Sequence, residues 1–124
     1  MKILTVILLM FSLSACNLTE EIPSFYDDNE SKAIVDLAFD IRKLNCSSTL
    51  VAHQIDAIDR DLTWLITYTE LKSSNDVYAV LLIMDSTLEG LQQKKAVSGP
   101  YCEIKKRTLV QQSNAAAKAI FRRF

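Results

Sequence analysis

A zinc centre or a serine triad needs an imidazole, and this sequence holds one histidine, His53. Its neighbours form no motif, so the expectation is a partly exposed helix residue. Asp56, Asp59 and Asp61 surround Arg60, yet they lack the glycine turn and alternating oxygens of a calcium loop and read as a solvated helix face. The two glycines, Gly90 and Gly99, stand nine residues apart, which excludes a glycine loop that cradles phosphate. No metal, no cofactor and no enzymatic activity are therefore expected. The remaining reactive side chains are three cysteines, Cys16, Cys46 and Cys102, with no C-x-x-C redox motif among them.

Cys16 closes the opening stretch MKILTVILLMFSLSAC. Lys2 supplies a positive start, an apolar run follows, and Ser14-Ala15 are small, which is the layout of a secretory signal. The apolar core is about half the roughly twenty residues that a bilayer span requires. Leu13-Ser14-Ala15-Cys16 resembles the lipobox of bacterial lipoproteins, which implies removal of residues 1–15, lipidation of Cys16 and a membrane contact through that lipid. Asn17 follows the cysteine, and by the sorting rule of such lipoproteins this implies the outer membrane, with the domain facing the periplasm. In that oxidising compartment Cys46 and Cys102 are expected to form a disulfide.

Residues 16–30 then read as a lipidated tether, with Pro23, many acids and little periodicity. Fully extended, such a segment reaches roughly 45 Å. Ile22, Phe25 and Tyr26 are its apolar exceptions. Residues 31–124 are the folded domain, and the lack of glycine or proline between Glu30 and Gly90 favours helices. The first helix is predicted over residues 31–46, capped by Asn29 or Ser31, with Ile34, Leu37, Ile41 and Leu44 on one face. The second follows Ser47-Ser48-Thr49 and carries Val51, Ile55, Ile58, Leu62, Leu65 and Thr69 at alternating spacings of four and three. After a break at residues 73–76, Val77, Val80, Leu81, Met84, Leu88 and Leu91 predict a third helix, although VYAVLLIM alone would suit a buried strand. Pro100 opens the fourth, whose stripe is Cys102, Leu109, Ser113, Ala116, Ile120 and Phe124.

The fold class expected is all-α: a small four-helix bundle braced by one disulfide. The formal charge is −1, so nucleic acid is not an expected partner. Charge is unevenly spread, however. Acids outnumber bases ten to four over residues 16–61, and bases outnumber acids nine to five over residues 62–124. Solvated faces are the simpler reading and an anionic docking site is the other. Apolar residues are also in excess. Val35 and Phe39 flank the first helix's stripe, and Tyr78, Leu82 and Ile83 flank the third's. Either they bury in the bundle, or Val35, Phe39, Tyr78 and Leu82 line a groove for an amphipathic helix.

Lipobox, tether, four helices and a cysteine pair joining the end of the first helix to the start of the last together resemble the pilotins of type II secretion, of the OutS/PulS kind. The family's leucine-proline turn after the first cysteine is replaced here by Ser47-Ser48-Thr49, and Trp64 lies inside a helix. The resemblance implies a lipoprotein that binds the C-terminal segment of a secretin subunit as a helix and targets it to the outer membrane. A rival expectation is an immunity or entry-exclusion lipoprotein that binds an incoming protein, and a third is a structural envelope lipoprotein.

Overall fold

The structure is a computed structural model that describes residues 27–93 and 99–123. Cys16, the signal and most of the tether lie outside the described residues, as does Phe124. Four helices follow in order: α1 (Asp28–Lys43), α2 (Val51–Leu71), α3 (Asn75–Gln92) and α4 (Gly99–Phe121). The fold is thus an all-α four-helix bundle. VYAVLLIM is helical, because its apolar residues continue at spacings of three and four through Leu88 and Leu91.

Local chemistry sets the helix ends. Helix α1 begins three residues earlier than residue 31, because Asp27 is its cap. The Asp27 Oδ1 accepts from the Asn29 N–H at 2.8 Å and the Glu30 N–H at 3.4 Å, satisfying donors that the first turn leaves unpaired. Ser31 is not a cap, since its hydroxyl donates back to the Asp27 carbonyl at 2.8 Å. Residues 27–30 therefore belong to the folded domain and not to a tether. At its other end α1 stops at Lys43, short of Cys46, because Asn45 organises a turn. Its Oδ1 accepts from the Ser47 N–H at 3.0 Å, and its own N–H donates to the Gln54 Oε1 at 3.0 Å.

Helix α2 ends in a Schellman arrangement, with the Ser74 N–H donating to the Thr69 carbonyl and the Ser73 N–H to the Glu70 carbonyl. Such a motif places one residue in the left-handed region, and here it is Ser73 at φ 62°. Ser74 occupies the cap position of α3, but its side chain caps nothing there and is committed elsewhere.

Each helix packs closely on two neighbours, α1 and α3 both lying against α2 and α4, while α1 and α3 stand diagonally across the core from each other. Cross-helix bonds show that neighbours run antiparallel. Cys46 meets Cys102 at one end of α1 and α4, and Glu30 meets Arg123 at the other. Likewise, Gln112 donates to Thr87 and Tyr101 to the Gly90 carbonyl between α4 and α3. The centre is filled by the predicted stripes: Ile34, Leu37 and Ile41 of α1, Ile58, Leu62 and Leu65 of α2, Leu81, Met84 and Leu88 of α3, and Leu109 and Ile120 of α4 are all buried. The disulfide forms as expected, with Cα atoms 5.7 Å apart across a sequence separation of 56.

Candidate functional site

At the end of the bundle away from the disulfide, four chain segments converge on one carboxylate. Glu30 in the first turn of α1 is fully buried, and its Oε2 receives Lys72 Nζ at 2.7 Å, Arg123 Nη1 at 3.0 Å and the Ser74 hydroxyl at 3.3 Å. This is where the missing α3 cap has gone. Arg123 also reaches Asp76 Oδ1 at 2.6 Å with its other amino group, and Lys72 lies 3.4 Å from Asp27 Oδ2. The Tyr68 hydroxyl donates to that same Asp27 oxygen at 2.6 Å. This bond, with help from the Asn29 and Glu30 amides and Lys72, holds the Asp27 carboxyl below its ordinary range against the opposing effect of burial. It raises the Tyr68 phenol in turn. The cluster sets two cations against three carboxylates as an ionic clamp, with Glu30 Oε1 and Arg123 Nε buried and without a hydrogen-bond partner.

Elsewhere, the flank between α1 and α2 is acidic and aromatic. Trp64 stacks on Tyr68 with ring centroids 5.0 Å apart, and Trp64 stays half exposed. Asp40 faces Asp61 across the helix pair, and its carboxyl is raised first by burial and then by the Asp61 and Asp36 charges. His53 is exposed, as expected, and no group of metal-ligating side chains occurs among the described residues. Nor is any helix there long and apolar enough to cross a membrane.

The four residues predicted to line a groove do not share one surface. Val35 and Phe39 are 51% and 54% exposed, so the core is complete without them. They sit seven and three positions before Arg42, which makes them part of its flank of α1. That flank faces α4, since the Arg42 Nη2 donates to the Asn114 Oδ1 at 2.6 Å. Phe121, seven residues beyond Asn114, stands on the matching side of α4 and is also exposed. Tyr78 and Leu82 lie on α3, which is diagonal to α1. The two pairs therefore sit on helices that are diagonal to each other in the bundle, with α2 and α4 between them. Sequence reasoning missed Phe121 because the periodicity of α4 draws attention to its buried stripe, and it missed the Glu30 cluster because Glu30 sits among the acids of DDNE.

No protein-family model matches the sequence, and no curated protein or solved structure matches it at a significant level. The class that fold and site define is a disulfide-braced, antiparallel four-helix bundle with an ionic clamp opposite the disulfide.

Proposed function

We propose that this protein is a lipid-anchored pilotin, which binds the C-terminal segment of a secretin subunit and carries it to the outer membrane. The observation that carries the reading is the position of Val35 and Phe39, side by side on α1 with half their surface in water beside a core already filled without them. Apolar surface of this kind serves binding, and two antiparallel helices offer a third a natural seat between them. The disulfide keeps the ends of those two helices, α1 and α4, in register. The chain acts by holding a passenger and performs no reaction on it. Cys16 with its lipid supplies the destination.

Two measurements test this. Mass spectrometry of the mature N-terminus is expected to find a lipid-modified Cys16, and a soluble product beginning at Asn17 or later would contradict the anchor. Titration of a labelled secretin C-terminal peptide against the full chain is expected to show saturable binding that induces helix in the peptide. No binding by any secretin encoded beside this protein removes the pilotin reading.

A further inference from the structure

The charges around the α1–α4 flank restrict what can dock there. Lys43 Nζ lies 4.3 Å above the centre of the Phe39 ring, so a cation already covers one edge of the apolar patch. Arg42 is exposed three residues beyond Phe39, and Lys118, exposed as well, is one turn beyond Asn114 and one turn before Phe121. Of the acids of α1, Asp36 on the solvent side is paired with Lys32, and Asp28, seven residues before Val35, lies at the far end of the flank, away from Phe39, Arg42 and Lys43. The apolar surfaces of α3 and around Trp64 carry the opposite sign. Tyr78 and Leu82 share their side of α3 with Asp85 and Glu89, each seven residues further on, and Trp64 stands beside the Asp40–Asp61 pair.

We infer that the α1–α4 flank is the docking surface and that its occupant is an acidic amphipathic helix. Apolar anchors of the guest meet Val35, Phe39 and Phe121, and carboxylates bordering those anchors meet Arg42, Lys43 and Lys118. Complementary charge at the rim sets orientation and encounter rate, while the apolar centre supplies the contact area. A basic helix with the same anchors meets like charge here, and an acidic one meets like charge at the α3 surface. The inference rests on the reading of this protein as a helix carrier and names the surface and the chemical class of the guest.

The test uses two synthetic helical peptides with identical apolar anchors at i, i+4 and i+7, one bordered by glutamate and one by lysine. Fluorescence anisotropy with the full chain at low salt is expected to show the glutamate peptide binding about tenfold tighter or more, with the preference shrinking as salt screens the rim. The double variant R42E/K118E, altered only at exposed positions and checked by circular dichroism, is expected to reverse the preference. Equal affinities, a lysine preference, or loss of binding in Leu82→Ser but not in Phe39→Ser would overturn the inference. So would binding to anionic phosphatidylglycerol vesicles without binding to either peptide. If the glutamate peptide binds as described and no secretin segment does, the docking surface stands and the pilotin reading falls. A secretin segment that binds with affinity unchanged in R42E/K118E keeps the pilotin reading and defeats this inference.

Discussion

Replacing Glu30 by glutamine keeps the shape of the side chain and removes the charge on which Lys72 and Arg123 converge. Breaking a buried ion pair by neutralising one partner costs about 3–5 kcal/mol, mostly because the surviving charge stays desolvated. Two features of the structure reduce that figure here. Arg123 keeps Asp76 at 2.6 Å, and Lys72 keeps Asp27 at 3.4 Å and is itself partly exposed. The lower end, about 3 kcal/mol, is therefore the expected loss. At an unfolding entropy of roughly 2 cal/mol/K per residue, a domain of some 95 residues should lose about 15 °C of melting temperature. Thermal unfolding followed by circular dichroism measures this. Because Glu30 is fully buried, the difference between wild type and Glu30→Gln should persist at about 1 M salt, where exposed pairs are screened out. In a double-mutant cycle with Arg123→Gln, the two losses should fall short of additive by about 1 kcal/mol or more. A shift of only about 3 °C, or one that disappears in salt, would show that the cluster is a surface feature and that the clamp does not hold the bundle's end.

Other expected outcomes are smaller or simpler. Reducing the Cys46–Cys102 bridge should destabilise the domain by about 4 kcal/mol, given its sequence separation of 56, and non-reducing peptide mapping should recover the linked pair. Ser73→Gly should stabilise by about 1 kcal/mol in denaturant titration, because a side chain at φ 62° bears a steric cost that glycine avoids. Asp40→Asn should raise the melting temperature at neutral pH. The folded-state carboxyl is raised above its unfolded value of 3.8, so its ionisation weakens the fold at higher pH, and the advantage of asparagine should vanish in acid as Asp40 itself protonates. Asp27 has the opposite sign: its carboxyl is lowered, chiefly by the Tyr68 hydroxyl, so its contribution is present above 3.8 and is lost as pH falls through the lowered value. Tyr68→Phe should shrink that acid-dependent loss, which stability curves across pH would record.

The helices were legible because each has a period of its own. Ile55, Ile58, Leu62, Leu65 and Thr69 announce a buried face without reference to any other part of the chain, and all five are buried. The disulfide was legible for a similar reason, as two thiols offer one pairing within the domain. Helix ends were less so. Asn29 and Ser31 both suit a cap by type, yet Asn29 lies inside the first turn as a donor to Asp27, and only the geometry shows Ser31 bonding backwards. The groove prediction joined residues from α1 and α3 because amphipathic excess reveals a face but not the order of helices around a bundle. That order is a long-range property. The Glu30–Arg123 contact spans 93 positions, and no local pattern distinguishes Glu30 from its neighbours Asp28 and Asn29.

That span also dictates when the domain can become itself. While a ribosome has produced α1, α2 and α3 but not α4, Glu30 has Lys72 to meet and lacks its guanidinium, and Cys46 lacks its partner Cys102. Burying the carboxylate at that stage is costly, so a three-helix intermediate is discouraged from closing. Loop closure across such a distance also makes the last contact a slow one to find. Both long-range ties, the Glu30–Arg123 pair at one end and the Cys46–Cys102 bridge at the other, require the fourth helix. The placement of a single buried acid thus ties closure of the first three helices to the presence of the fourth.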